Sequence, residues 1–407
     1  MQKKVKIAVL SDLHVGDVDS YLTSNMHYSL VENPFSSLKD FISNNHLKAD
    51  ILICCGDMAD RADDAGQIFA WNNICDIASS LQCQHCYGTV GNHDLDSRAK
   101  ILYDPKGQLQ KLHPSFPYDN ESYCDRYWAR NFSFSTYEDN IRLLNINSCA
   151  FHGYSDKNNK NEYDHGRISQ FTIDKIEAKL QQDIKDKKEF SVNIAFFHHH
   201  PAKMEHRSFD DYSEMLGGNL LLQLLSKSEY GNWIIIHGHK HFPNIQIASA
   251  SGSNPPVIFS AGSFASKKLV TEKNSEKNQF YIMEVCVDPM NEYNLSIAGI
   301  IHSWYWSYGL GWNKSPFSHN ISYGCGFTNS IKTAHVYAKF IDDNYNNKEF
   351  FLWEDLLVKW PELQFTFPQS IHEICEILEN KYGYNILYNR LEWPSQFSKQ
   401  REDVNEA

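Results

Sequence analysis

Residues 51–61 read ILICCGDMADR. Ile51–Cys55 is a short run without a polar residue, the pattern of a strand buried on both faces of a parallel sheet. It stops at Gly56-Asp57, where glycine permits a tight turn and lets a carboxylate approach a ligand closely. Working outward, Lys4–Leu10 alternates, is β-branched and breaks at Ser11-Asp12, so it predicts a first strand. Another strand at about Cys86–Val90 ends at Gly91-Asn92. Between them, Phe35–Asn44 puts Leu38, Phe41 and Ile42 on one helical face after Asn33-Pro34. Gln67–Leu81 has helical spacing through Ile68, Trp71, Ile74, Cys75 and Ala78. This β-α-β-α-β order predicts an α/β architecture whose ligands sit beyond the carboxyl ends of the strands.

Residues 95–138 form a long polar and aromatic insertion with no clear period, the kind of segment that serves as a lid. Its Tyr118, Tyr123, Tyr127 and Trp128 are the candidate lid residues. Strands are then expected at Ile141–Asn147, Val192–Phe197, Trp233–His237, Val257–Ser260, Phe280–Val287 and Tyr293–Ile301, with helices at Ser169–Lys188 and Leu216–Ser226. After about residue 302 the texture changes. Trp304, Trp306 and Tyr308 share one face of an extended segment, and with Trp312 they read as a strand sealing an aromatic core edge or as a base-stacking platform. Helices follow near Asn329–Asp342, Phe351–Val358 and Ser370–Lys381, the last with a capping box from Ser370 to Glu373. Residues 396–407 read as a charged, frayed tail. The expected division is 1–301 for a catalytic domain and 302–407 for an accessory region that binds a partner or substrate.

The 407 residues include 38 Lys+Arg and 50 Asp+Glu, a net charge of −12. That balance argues against affinity for duplex nucleic acid through a broad basic surface, yet leaves phosphate substrates open, because bound divalent metals reverse a local field. No apolar run approaches the ~20 residues needed to cross a bilayer. The apolar stretch at the start ends at once in Asp12, too early for a secretory signal, so a cytoplasmic protein is expected. Ten scattered cysteines suit reduced, mostly buried thiols.

Five segments carry the chemistry: Asp12-Leu13-His14, Gly56–Arg61, Gly91-Asn92-His93-Asp94, His198-His199-His200-Pro201 and Gly238-His239-Lys240-His241. Each follows a run that reads as a strand. Aspartates, neutral imidazoles and an amide oxygen are what a pair of divalent transition metals needs at neutral pH. The ordered set D-x-H, GDxxDR, GNHD, HHHP and GHxH resembles the calcineurin-like metallophosphoesterases, over roughly residues 1–300. That resemblance implies a four-layer α/β/β/α sandwich, here with a mixed, mostly helical C-terminal extension. It implies two divalent ions, with manganese favoured and iron, zinc or nickel compatible. Asp12, His14 and His241 would hold the first ion, Asp57 would bridge, and Asn92, His239 and one histidine of the HHHP run would hold the second. Family members often show H-x-P at that run, and strand alternation puts His198 and His200 on the opposite face, so His199 is the expected ligand. His93 would protonate the leaving oxygen and Asp94 would orient it. Asp60 and Arg61 would sit near the metals or brace the loop, with Arg61 a candidate substrate contact. His237 reads as a packed strand residue and His165 as a loop residue.

The resemblance implies in-line attack on phosphorus by a metal-bridging hydroxide, with charge stabilisation by the ions and a histidine proton donor. FFHHHP and GHKH are similar in wording to bacterial phosphodiesterases and nucleases. A phosphodiester substrate, nucleic acid, cyclic nucleotide or nucleotide-like, is therefore expected ahead of a monoester. The other reading is a hydrolase or scaffold that docks a protein through residues 302–407.

Overall fold

The chain runs through β1 (Lys4–Leu10), α1 (Pro34–Asn44), β2 (Ile51–Cys54), α2 (Asp64–Ser80), β3 (His85–Gly88), α3 (Glu121–Arg130), β4 (Phe132–Tyr137) and β5 (Ile141–Ile146). Then come α4 (Gln170–Lys185), β6 (Val192–Phe196), α5 (Gly218–Leu225), β7 (Trp233–His237), β8 (Asn244–Ile247), β9 (Val257–Ser260), α6 (Lys268–Thr271) and β10 (Asn278–Cys286). It closes with β11 (Ala298–Ser307), β12 (Gly311–Lys314), β13 (Cys325–Thr328), α7 (Ala334–Tyr345), β14 (Phe350–Leu352), α8 (Trp353–Lys359), α9 (Pro368–Tyr382), β15 (Tyr384–Tyr388) and β16 (Pro394–Lys399). The structure, a computed structural model, describes residues 3–23, 32–97, 104–138, 140–155, 162, 165–203, 214–271, 277–287, 295–328 and 332–399. Asp164, residues 98–103 of the insertion, the expected helix start at Asn329 and the tail beyond Lys399 lie outside them.

Two sheets stack face to face. The first has the order β12-β11-β10-β1-β2-β3 with β13 also on β11; the second has β4-β5-β6-β7-β9-β8. β1, β2 and β3 are parallel, as are β5, β6, β7 and β9. Period-two alternation explains the layering. Val5, Ile7, Val9, Ile51 and Ile53 face Leu143, Ile194, Phe196, Ile234 and Ile236 between the sheets. The opposite set, Ala8, Leu10, Leu52 and Cys54, packs under Leu38 and Ile42 of α1 and Trp71 and Ile74 of α2. On the far side, Leu144, Ala195 and Ile235 lie under Ile176 and Leu180 of α4 and Leu221 and Leu225 of α5. The expected α/β/β/α sandwich is therefore the fold.

Capping fixes the helix starts. Asn33 Oδ1 accepts from the backbone N–H of Phe35 at 2.9 Å, with Pro34 at the first helical position. Asp63 caps α2 through Gly66 N–H at 2.7 Å, and Ser169 caps α4. The capping box expected at Ser370 does not form, because Pro368 starts α9 two residues earlier behind Phe367.

Three further expectations are revised by packing. The insertion's aromatics do not form a lid: Tyr123 and Tyr127 are buried, Tyr118 stacks on Tyr87, and β4 pairs with β5 as a sheet edge. Tyr127 Oη lies 3.0 Å from Thr89 Oγ1 and accepts from Val90 N–H at 3.2 Å, so this segment props the turn after β3. The division at 301/302 falls inside β11, whose Trp304 and Trp306 belong with Trp312 to the core under α1 and α2. Those three tryptophans seal the core edge, and only Tyr308 is exposed. Residues 396–399 belong to β16, which joins β14 and β15 in a three-stranded sheet with its own core of Ile341, Phe351, Ile374, Leu378 and Phe397.

Candidate metal centre

The loops leaving β1, β2, β3, β6 and β7 meet at one end of the sandwich. Close approach there demands glycine. A side chain on Gly56, whose φ is +91°, would meet Gly91 N at 2.6 Å, and Gly91 itself lies directly against Asp57. Asp12, His14, Asp57, His239 and His241 all hold positive φ, between 49° and 78°. Such backbones are costly for non-glycine residues and persist where surrounding contacts over-determine them. Here Leu13 and His14 N–H both donate to Asp57 C=O, at 2.9 and 3.0 Å, tying the first loop to the second.

The side chains converge in two adjoining groups. Asp12, His14 and His241 form one: His241 Nε2 is 3.3 Å from Asp12 Oδ1, and His14 Nε2 is 3.0 Å from His241 Nε2. The other gathers around Asn92 Oδ1, which lies 3.0 Å from His198 Nε2 and 3.1 Å from His239 Nδ1. Asp57 stands between them, its Oδ2 at 3.6 Å from His14 Nε2 and 3.3 Å from His198 Nε2. His198, rather than the expected His199, occupies the place beside Asn92. The strand ends at Phe196, so alternation no longer governs which histidine points inward. His199 has Nδ1 2.9 Å from Ser148 Oγ and its ring 4.4 Å from that of His239; its Nε2 is buried without a hydrogen-bond partner, and with His198 and His239 it too belongs to a group that could hold a metal ion.

The donors fit cations. Burial lowers the pKa of His14 to about 4 and pushes His239 well below its ordinary value, so both imidazoles are neutral at pH 7, the form that can ligate a metal ion. Burial works to raise Asp57, but His198 and His93 hold its carboxyl well below the usual range. His198 Nδ1 engages Cys55 C=O at 2.8 Å, turning Nε2 toward the oxygens of Asp57 and Asn92. Burial would lower His198, yet Asp57 and Asp12 raise it to about 9. Buried carboxylates here call for positive charge, and a divalent ion meets the same demand. His14 Nδ1 is buried without a hydrogen-bond partner.

His93 stands beside these groups. Its backbone N–H donates to Asp57 Oδ1 at 2.8 Å, and its Nδ1 lies 2.7 Å from Asp60 Oδ1. Asp60, not Asp94, is thus the partner of the His93 ring. Burial alone would lower the imidazole, but Asp57 and the Asp60 hydrogen bond raise it to about 9. Asp94 is fully buried and accepts from Gly91 N–H at 2.9 Å and Ala59 N–H at 3.1 Å, clamping two loops together. Burial, then Asp57, pushes its pKa up to about 7. Arg61 is 88% exposed at its side chain and touches only Asp60, at 3.4 Å, among the described ion pairs. His237 is buried at the end of β7 and His165 lies in a loop, both as expected.

A cleft of about 170 Å³ opens onto His14, Asp57, Asn92, His93, His239 and His241. Its rim adds Asp17, Asp19, Ser20, Ser266 and Lys268, none of which the motifs marked. The linear signal available was faint: Asp17 and Asp19 follow the first motif by a few residues, whereas Ser266 and Lys268 arrive only through the fold. Asp60 was visible as the fourth residue from Gly56, but its pairing with His93 needed three dimensions.

Residues 5–243, more than half of the chain, match the calcineurin-like phosphoesterase family, and the chain belongs to it. That family uses a binuclear metal centre, and the Asp/His groups here could hold metal ions. Among solved structures, the chain is similar to a purple acid phosphatase from yellow lupin seeds (11% identity, 77% of this chain and 53% of that one, TM-score 0.44). It is also similar to a putative 5'-nucleotidase from Staphylococcus aureus (13%, 72% and 53%, TM-score 0.40). A third is the calcineurin-like phosphoesterase YfkN of Bacillus subtilis (14%, 70% and 85%, TM-score 0.36). The chain spans about half the length of the first two. No curated protein sequence matches it. No helix among the described residues is long and apolar enough to cross a membrane.

Proposed function

We propose that the chain hydrolyses a nucleotide-like phosphodiester, with His93 as the proton donor to the leaving oxygen and Asp60 as its positioning residue. The observation that carries this reading is the His93–Asp60 pair, 2.7 Å apart, with His93 lining the same cleft as Asp57, Asn92 and His239. With Nδ1 engaged by Asp60, Nε2 is the nitrogen left for substrate. The carboxylate holds the ring in one orientation and favours its protonated form, which suits an acid toward an alkoxide. Asp12, His14 and His241 would hold one ion, Asn92, His198 and His239 the other, and Asp57 would serve both. When bound, such ions activate water and neutralise charge on the phosphoryl oxygens. Manganese suits these oxygen and nitrogen donors, and no cysteine is among them.

The rim favours a diester over a monoester. Asp17 and Asp19 line it against Lys268, whose ammonium is 2.8 Å from Asp19. A singly charged diester meets less repulsion there than a doubly charged monoester. All ten cysteines are free thiols, in keeping with a reducing compartment such as the cytoplasm. The unit that follows Thr328 is the segment we assign to a partner protein.

The test is turnover of bis-p-nitrophenyl phosphate and p-nitrophenyl phosphate by manganese-loaded protein. The diester should have the higher kcat/KM; a preference for the monoester would reverse the assignment. His93→Ala should lower kcat about 10²–10⁴-fold on an alkyl-leaving diester. Asp60→Asn should lower kcat with KM unchanged and move the alkaline limb of the pH–rate profile to lower pH, because His93 must be protonated to donate and loses the carboxylate that raises its pKa. An unmoved profile would remove Asp60 from its positioning role.

A further inference from the structure

The sequence leaves the aromatic residues after Ile301 as a core edge or a stacking platform, and the fold divides them. Trp304, Trp306 and Trp312 are buried, while Tyr308 is 50% exposed in the turn between β11 and β12. Its ring stacks on Tyr21, with centroids 5.6 Å apart and planes 27° from parallel. Trp306 backs both rings edge-on, at 4.8 Å from Tyr21 and 6.2 Å from Tyr308. Tyr308 Oη donates to Glu32 Oε1 at 2.7 Å, which fixes the plane of the ring.

Tyr21 of this stack is tied to segments that line the cleft. Ser20, the residue before Tyr21, lines it, as do Ser266 and Lys268 on the facing loop. Tyr21 N–H donates to Ala265 C=O at 2.8 Å, so Tyr21 is pinned between those two lining segments. Lys267 donates to Val18 C=O at 3.0 Å, and its ammonium sits 5.8 Å from the centre of the Tyr21 ring. An exposed ring held flat by a buried tryptophan and a carboxylate is preorganised to receive another flat group.

We propose that Tyr21 and Tyr308 form an aromatic subsite that seats a nucleobase on the retained side of the substrate, opposite the leaving group, while its phosphorus occupies the cleft. The proposal deepens, and rests on, the phosphodiesterase reading above. It assigns substrate selection to residues outside all five metal motifs, and it makes the aromatic group, rather than nucleic-acid backbone charge, the recognised feature. That agrees with a chain of net charge −12.

Two substrates with one leaving group isolate the subsite: thymidine 5'-p-nitrophenyl phosphate and methyl p-nitrophenyl phosphate, with the full manganese-loaded chain. The thymidine substrate should show a KM about tenfold lower or more, from the usual strength of base–aromatic stacking. Tyr308→Leu should shrink that ratio to within about twofold, and Tyr308→Phe, which keeps the ring, should preserve it. An equal KM for the two substrates in the unaltered chain, or an undiminished ratio in Tyr308→Leu, overturns the subsite. If neither substrate turns over, the phosphodiesterase reading falls on its own. The subsite is then decided by calorimetric titration with thymidine 5'-monophosphate: weaker binding by Tyr308→Leu than by Tyr308→Phe supports it, and equal binding overturns it.

Discussion

At the scale of single residues, three adjacent histidines show how one covalent step changes a side chain's task. His198 is fixed by Cys55 C=O and faces Asp57 and Asn92, whereas His199 engages Ser148. His198→Ala is therefore expected to lose about one metal equivalent per chain of the two that a binuclear centre holds. His199→Ala should keep both ions and instead destabilise the fold by about 1–3 kcal/mol, because a buried hydrogen bond is broken. Elemental analysis paired with chemical denaturation separates these outcomes; the reverse pattern would restore His199 as the ligand. The residue types were legible in the sequence because metal centres need that chemistry. Which histidine of the run lies beside Asn92 was not, since it depends on β6 ending at Phe196. The His93–Asp60 pairing was hidden for the same reason: two loops must fold before a 2.7 Å contact exists.

At the scale of elements, most strands and helices were readable because alternation and helical spacing are local consequences of burial. Lys4–Leu10 and Trp233–His237 form as expected, and β2 differs by one residue at its end. The insertion was unreadable because its tyrosines have no period of their own; they are ordered by Tyr87, Thr89 and Val90 of the neighbouring strand and turn. Cross-strand charge adds a pH dependence. Glu284 of β10 lies 3.6 Å from His302 Nε2 on β11 and 3.0 and 3.1 Å from Lys4 and Lys6 on β1. His302 first, then the two lysines against the opposing effect of burial, holds the Glu284 carboxyl well below its usual pKa. A carboxylate depressed in the folded state stabilises above the unfolded pKa of ~4.3, and that stabilisation is lost as pH falls toward the folded value. Urea unfolding of Glu284→Gln and the unaltered chain should thus differ most near neutral pH, and the gap should close below about pH 4. A gap that widens on acidification would contradict the assignment.

At the scale of the whole molecule, the two-sheet sandwich and the segment after Thr328 share material. β11 carries residues on both sides of 301, and β13 pairs with it from Ala298 to Ile301. A chain ended at Ile301 lacks Trp304, Trp306 and Trp312, which close the core under α1 and α2. Ending at Thr328 instead keeps both sheets whole but removes Phe365 and Phe367, buried against the edge of the first sheet and between the sheets. Gly326 shows how tight this junction is, since a side chain there would run into the backbone of Phe365. The 1–328 chain should unfold cooperatively, bind two ions, and be about 3–6 kcal/mol less stable than the full chain, from two phenylalanines at ~1.5–3 kcal/mol each. The 1–301 chain should show no cooperative transition, because a sheet cut through β11 leaves its apolar face uncovered. Partner capture must therefore be compared between 1–328 and the full chain, where loss of binding reports on the C-terminal unit and not on an unfolded catalytic core. Cooperative unfolding of 1–301 with both ions bound would show that β11 is dispensable beyond Ile301, and would move the domain boundary back to that residue.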